Sequence, residues 1–229
     1  MTTVDPGILD NPVWAALRGA HARFAQVNGR AARYHPDVAP FHTLADPAEP
    51  GAWDDLRGLV GPGAELMLSG EDLAPPPGWT LLTEVGGVQL VDVALRAEPD
   101  PGAVVLTGAD VPEMLDLVRR TRPGPFLPRT VELGTYLGIR QDGVLIAMAG
   151  ERLHPPGWTE ISAVCTDPAH RGRGLATRLV RAVAAGIRAR GETPLLHTAA
   201  DNHPAIRLYE SLGFRLRRHT TFGRVRSPA

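Results

Sequence analysis

Thr166-Asp167-Pro168-Ala169-His170-Arg171-Gly172-Arg173-Gly174-Leu175-Ala176 follows an apolar run from Thr159 to Thr166. It precedes a stretch in which Leu175, Leu179, Val180, Val183 and Ile187 recur at helical spacing. A strand, a small-residue loop and a helix over about Gly174 to Arg190 are therefore predicted, in that order. Small residues let the backbone turn sharply into the helix, leaving its first N–H groups unpaired and aimed outward. The helix dipole also favours negative charge there, so the loop suits a pyrophosphate. A Gly-x-Gly stretch alone is more often a plain loop opening a surface helix. The strand before this one and the amphipathic helix after it favour phosphate binding.

Working outward, Leu195 to Ala199 reads as a strand, His203 to Leu212 as a helix, and the chain from Phe214 onward as a closing pair of strands. Upstream, Thr135 to Arg140 and Val144 to Arg152 flank Gln141-Asp142-Gly143, a tight hairpin turn. Before them come a strand (Ala103 to Leu106), a helix (Asp110 to Arg120) and a Pro-broken loop (Arg122 to Pro128). Asn202-His203-Pro204-Ala205-Ile206-Arg207-Leu208-Tyr209-Glu210-Ser211-Leu212-Gly213-Phe214 forms a second block worth isolating, since Asn202 suits a helix cap and Tyr209 lies within the helix.

Arg171-x-x-Gly174-x-Ala176 resembles the acyl-CoA pyrophosphate loop of the GNAT superfamily, and the second block is similar to that family's Asn-x-x-Ala, Tyr, Gly-Phe motif. The likeness spans about residues 103 to 226. Glu160-Ile161-Ser162-Ala163-Val164-Cys165-Thr166, running into the loop, is similar to the branch represented by the C-terminal half of glycine N-acyltransferases. The resemblance implies an α/β (α+β) fold with a mixed, mostly antiparallel central sheet flanked by helices. It also implies acetyl-CoA as co-substrate, held by Val164, Cys165, Thr166, Arg171, Gly172, Arg173, Gly174, Leu175, Ala176, Asn202, Ala205 and Tyr209.

In such chemistry an amine attacks a thioester directly, so the protein must bind the co-substrate, take a proton from the amine and stabilise charge at carbonyl and sulfur. Tyr209 holds the position that in the family faces the CoA sulfur and protonates the departing thiolate. Ala205, Leu208 and Leu212 around it equally suit a core tyrosine. Asn202 is a helix cap that in the family also lies beside the pantetheine arm. Arg171 and Arg173 contribute backbone N–H groups more than side chains. Glu160, six residues before Thr166, is the candidate general base, against a solvated charge at a strand start; many relatives use water instead. Strand alternation puts Glu160, Ser162, Val164 and Thr166 on one face and Ile161, Ala163 and Cys165 on the other.

Cys165 lacks His and Asp partners at useful spacing, so a small buried residue is favoured over an acyl-carrying nucleophile. His170 and His203 have no neighbours at metal-ligand spacing, and no metal is expected. His154 lies in a turn, His154-Pro155-Pro156-Gly157-Trp158, bordering the acceptor side, with Trp158 a packing residue rather than a lid.

Ahead of residue 97, Asn11-Pro12 followed by Val13, Trp14, Leu17, Ala20 and Phe24 predicts a helix ending near Gly29. Residues 36 to 51 read as loop, Trp53 to Leu59 as a short helix and Glu65 to Leu68 as a short strand, with a turn at Pro75-Pro76-Pro77-Gly78. Trp79 to Glu84 and Val88 to Leu95 read as a hairpin around Gly86-Gly87. The polar, two-proline stretch from Ala97 to Gly102 is the expected linker. Residues 1–96 then form a smaller accessory α/β domain, for which the resemblance implies a degenerate GNAT-like half, and residues 103–229 the GNAT domain.

Net charge of -1 over 229 residues lacks the footprint of a nucleic-acid binder. All 24 basic residues are arginine, leaving no lysine to acylate on the chain itself. The single Cys165 excludes an internal disulfide and suits a reducing compartment. The start, MTTVDPGILDNP, lacks the basic and apolar regions of a signal peptide, and no run of 18 apolar residues occurs. A soluble cytoplasmic N-acetyltransferase acting on a primary amine of a small molecule or peptide is the leading expectation. An acyl-CoA-binding module without turnover is the alternative. Nothing in the sequence sets the oligomeric state.

Overall fold

The computed structural model describes residues 6–71 and 73–229. The first five residues, part of the amino-terminal stretch read above, lie outside the described residues. A 3-10 turn at Pro6–Asp10 leads to α1 (Pro12–Leu17), capped by the Asn11 side chain accepting from the Trp14 N–H. β1 (Ala25–Asn28), β2 (Ala31–Tyr34) and β3 (His42–Leu44) form a small antiparallel sheet, and α2 (Ala52–Val60) packs on it. The large sheet collects β4 (Glu65–Gly70), β5 (Thr80–Asp92), β6 (Val104–Leu106), β7 (Tyr136–Gln141), β8 (Val144–Glu151), β9 (Trp158–Thr166), β10 (Thr193–Ala199) and β11 (Phe214–Arg226). Its helices are α3 (Val111–Thr121), α4 (Leu175–Ala189) and α5 (His203–Leu212).

Strand order is β4-β11-β5-β10-β9-β8-β7-β6. Among the described residues neighbours run antiparallel except β9 and β10, which run parallel. Leu179, Val180, Val183 and Ile187 of α4 and Leu212 of α5 pack with Leu137, Ile139 and Ile161 in one core. Met114 and Leu117 of α3 pack with Tyr136, Met148 and Cys165 in another. Tyr136 and Leu137 are adjacent on a strand, so the two cores lie on opposite faces of the sheet. Among the described residues no helix is long and apolar enough to cross a membrane.

Several expectations are corrected. The first helix stops at Leu17 instead of continuing to Gly29; a 3-10 turn and the β1–β2 hairpin follow. Gly29-Arg30 is the hairpin turn, and buried His21, bonded between Tyr34 Oη (2.8 Å) and the Leu133 carbonyl (3.1 Å), pulls the chain off the helical path. The 36–51 loop contains β3, which pairs with β2. Gly86-Gly87 makes no turn: both lie inside the 13-residue β5, paired along its length with β11. The expected closing pair of strands is likewise one strand, β11, interrupted by a bulge between Leu216 and Arg218. Two residues of β9, Ala163 and Val164, stand opposite Ala149 of β8, because Cys165 pairs with Met148 and Ser162 with Gly150. Ala163 takes φ +53° there. This bulge resets the alternation, so Ile161 and Cys165, expected on one face, enter the two opposite cores. The expected linker at 97–102 falls between strands of one sheet, to which β4 and β5 belong.

Gly87 is required by contact. A Cβ there would come within 2.3 Å of the Phe222 ring, whereas at Gly86 it would sit 3.6 Å from Ala200 Cβ, an ordinary contact. Gly87→Val is therefore expected to cost about 1–3 kcal/mol in urea or thermal unfolding, with Gly86→Ala near neutral. Equal effects at both positions would contradict this packing.

Candidate functional site

β9 and β10 pair at Thr193–Trp158, Pro194–Thr159 and Leu195–Glu160, and no further. Beyond that point the parallel neighbours part. Two sets of residues meet the gap from opposite sides of the sheet.

On the α4 side lies a cleft of about 320 Å³. Val164, Cys165, Thr166, Arg171, Gly172, Arg173, Gly174, Leu175, Ala176, Ala205 and Tyr209 all line it. Of the residues expected to hold a co-substrate, only Asn202 is not among its walls. Asn202 instead caps α5, its Oδ1 accepting from the Ala205 N–H at 3.3 Å while its Nδ2 donates to Thr198 Oγ1 at 3.2 Å. Gly172 and Gly174 take φ +75° and +73°, and a Cβ at either would meet nothing within 4 Å. Gly174 is the N-cap of α4, and no side chain caps that helix. An open glycine cradle beneath an uncapped 15-residue helix fits a diphosphate, which takes the unpaired N–H groups on the favourable end of the dipole.

The arginine side chains of the loop are engaged locally. Arg171 Nε donates to the Thr166 carbonyl at 3.3 Å, and Arg173 Nη1 donates to Gln141 Oε1 at 3.0 Å and lies 2.8 Å from His170 Nδ1. Asp167 caps the preceding 3-10 turn through the Ala169 N–H and pairs with Arg120. His203 opens α5 and is exposed. Among the described residues, no three His, Cys, Asp or Glu side chains cluster as metal ligands.

Tyr209 reaches the same cleft from α5 and is 8 % exposed, edge-on to Phe214 at 6.2 Å. Burial, with a smaller contribution from nearby Cys165, pushes its phenol up to about 12, so it keeps its proton at neutral pH. Burial likewise pushes the Cys165 thiol up to about 11, against bonds to Thr121 and the Met148 backbone, which makes it a wall and no nucleophile.

On the other side of the gap stands Glu160. It is 0 % exposed, not solvated as a strand-start carboxylate would be. Its oxygens accept from Arg152 Nε (2.8 Å) and Nη2 (2.5 Å), and His197 Nδ1 lies 2.7 Å away. Burial alone would push its carboxyl up, but the Arg152 charge and hydrogen bonds, with His197, hold it far below its ordinary 4.5. Glu160 is thus ionised and sealed from solvent, with Arg152 and His197 as its partners. His197, Arg152 and Gln89 were missed as site residues. Their signals were a lone imidazole in an apolar strand and an arginine eight residues before Glu160 across a hairpin.

The amino-terminal elements roof this face. Arg152 lies over the Phe41 ring at 5.0 Å, and a small pocket between Leu9, Val13, Phe41 and Phe222 reaches His197 and Arg152. Trp158 packs with Leu9 and Leu195. The His154 and His21 rings meet at a tilt, 4.9 Å between centroids, at the contact with the amino-terminal segment.

The model of a family described as FR47-like protein matches residues 136–223. Over nearly its full length the chain is similar to a GNAT-family protein of Novosphingobium aromaticivorans. The identity is 43 %, covering 97 % of this chain and 99 % of that one, with a TM-score of 0.88. A GCN5-related N-acetyltransferase of Kribbella flavida shares the fold at 22 % identity, 96 % of each chain and a TM-score of 0.59. Over 82 residues the chain is 40 % identical to the N-alpha-acetyltransferase RimI of Mycobacterium tuberculosis, 34 % of this chain and 51 % of that one. Over 82 residues it is 39 % identical to a mycothiol acetyltransferase of Thermomonospora curvata, 35 % of this chain and 27 % of that one. The chain thus spans about half, or about a quarter, of these curated relatives' own length.

Removing one partner of a buried ion pair leaves an uncompensated charge. Arg152→Met is expected to destabilise the fold by about 3–5 kcal/mol near neutral pH, with Arg152→Met/Glu160→Gln recovering much of the loss. The Glu160 carboxyl is lower in the folded than in the unfolded chain. The contribution of the pair is therefore fully present above about 4.5 and lost as pH falls below it. Urea titrations of the three proteins across that range measure both effects.

Proposed function

Because the chain belongs to the GNAT family, we propose that it is an N-acetyltransferase that moves an acetyl group from acetyl-CoA to a primary amine of a small molecule or peptide. The observation that carries this reading is a coincidence in one cleft: the uncapped, glycine-led start of α4, the gap between β9 and β10, and the proton-bearing Tyr209. Acetyl-CoA supplies an acyl group activated by a good leaving thiolate. Gly172, Gly174 and the first N–H groups of α4 would hold its pyrophosphate, Asn202 would border its pantetheine arm, and Val164 to Thr166 would line its path toward the gap. The amine would approach from the face roofed by the amino-terminal segment, where Glu160 and His197 stand. That segment would shape the acceptor side without a co-substrate site of its own.

Tyr209 would give its proton to the departing sulfur. A phenol held at about 12 is neutral in the resting protein and remains a donor. The relatives named N-alpha-acetyltransferase and mycothiol acetyltransferase support amine acceptors, of a protein in one case and a small molecule in the other.

Two substitutions test the reading. Gly174→Val forces a branched side chain to φ +73° at the mouth of the cradle. It is expected to abolish acetyl-CoA binding in calorimetry while circular dichroism stays that of the parent; unchanged affinity would exclude the loop as the anchor. Tyr209→Phe keeps the ring and removes the proton. It is expected to lower kcat by about 10²–10⁴ while acetyl-CoA affinity stays nearly intact. A large loss of affinity would mark Tyr209 as a packing residue, and a parent that binds acetyl-CoA without turnover would be a binding module.

A further inference from the structure

We propose that His197 takes the proton from the acceptor amine, that Glu160 is its positioning residue, and that the amine reaches it through the groove beneath the amino-terminal segment. This deepens the acetyl-transfer reading and rests on it. His197 lies on β10 two residues past Leu195, where pairing with β9 ends. Leu196 belongs to the core beneath α4. The next residue, His197, therefore projects from the opposite face, away from the co-substrate cleft and toward the roofed pocket.

The hydrogen bonds assign its protons. Glu160, an ionised carboxylate, only accepts, so the ring proton sits on Nδ1 and the lone pair on Nε2. The Gln89 side-chain nitrogen lies 3.0 Å from Nε2 and donates to the Leu9 carbonyl at 2.9 Å, while its oxygen accepts from Arg217 Nη1 at 2.8 Å. The amide is thereby fixed with its N–H donating to Nε2, and an acceptor amine reaches that lone pair by displacing the amide N–H. A carboxylate orienting an imidazole whose outer nitrogen carries the lone pair is the arrangement of a general base. The charged groups around it are Glu160 on β9, Arg152 after β8, Asp10 ahead of α1, and Arg217 and Arg218 on β11.

A route exists on the same face. The pocket at His197 has room for about one water, roughly 30 Å³. Asp10, Ser69, Gly70 and Arg218 line both it and an adjoining groove of about 630 Å³. Leu44, Trp53, Leu68 and Leu73 give the groove an apolar wall, and Asp46 and Glu71 add carboxylates to its lining. That pattern suits a primary amine carried on an apolar or aromatic body.

In the step itself, the nitrogen of the neutral amine forms its bond to the acetyl carbon and gives a proton to His197 Nε2. The carbon–sulfur bond breaks, and Tyr209 gives a proton to the sulfur. Solvent then carries a proton from the imidazolium to the Tyr209 phenolate, restoring both residues.

Phenethylamine serves as the probe, in two measurements on the full chain. In the first, CoA release is followed across pH with acetyl-CoA and phenethylamine. His197→Gln, or His197→Asn where glutamine is not tolerated, should lower kcat/KM by about 10²–10⁴ and remove the acidic limb of the profile, with acetyl-CoA affinity unchanged. Glu160→Gln should lower kcat more than it raises KM for the amine. In the second, without acetyl-CoA, the His197 Cε1–H proton resonance, assigned by its loss in His197→Gln, should move on adding phenethylamine. Ser69→Trp, which plugs the groove from an exposed strand position, should abolish that shift. A folded His197→Gln protein within threefold of the parent rate with the same pH profile overturns the proton role. A His197 resonance unmoved by an amine that the parent acetylates overturns the route. If the parent releases no CoA yet the resonance moves, the acetyl-transfer reading falls and takes the proton role with it, while the amine site stands.

Discussion

The parallel ladder between β9 and β10 ends at Glu160 and Leu195, and the cleft beside α4, the buried Glu160–Arg152 pair and the amino-terminal elements are arranged around the gap that follows. A strand inside a sheet ordinarily has partners on both sides, and buried N–H and C=O groups without partners are costly. Here β9 continues six residues past the last pair and β10 four. Their facing edges therefore offer backbone groups to whatever enters. The bulge at Ala163 keeps the strands apart by adding a residue and local twist to β9. Everything else converges on this opening: α4 brings its amino terminus to one side, α5 brings Tyr209, and the amino-terminal elements close the other side.

The buried Glu160–Arg152 pair is the second device built on the gap. Burying two charges is expensive, and such pairs are often neutral for stability compared with apolar replacements. This one joins three parts of the chain that have no sequence proximity: β9 through Glu160, β10 through His197, and the amino-terminal segment through Phe41 over Arg152. It holds the imidazole of His197 at Nδ1, while Gln89 meets the ring at Nε2, so the two together set its orientation.

Much of the carboxy-terminal half is visible in the sequence because its elements are long and periodic. The helix expected over Gly174 to Arg190 is observed as Leu175–Ala189, and that over His203 to Leu212 is observed with the same bounds. The phosphate-type loop was recognisable from its place between them and the strand. What escaped the sequence depends on contacts between distant residues. Gly86-Gly87 carries a hairpin signal, but the space at Gly87 is filled by Phe222, 135 positions later, and the segment runs straight as an inner strand. Alternation along β9 could not foresee the bulge that swaps Cys165 to the α3 face. Glu160 stood out as a charge on an otherwise apolar strand, but its burial and its partner His197 follow from strand order alone. The first helix ends early because burial of His21 between Tyr34 and the Leu133 carbonyl, a tertiary contact, outweighs the helical spacing.

Strand order also bears on how the chain reaches this state. β11 sits between β4 and β5, and among the described residues it makes the only strand ladder with β4 in the large sheet. Residues 65–70 therefore wait for residues 221–226, a separation of more than 150 positions. Loop closure over such spans slows folding, and exposed strand edges in the meantime invite association. The amino-terminal elements meet residues 130–158 through His21, Val38 and Phe41, but the ladder that joins β4 to the large sheet forms only once β11 is present. The groove beside β4, which takes Arg218 of β11 into its wall, is thus closed later in the chain than the cleft beside α4, lined by residues 164–209.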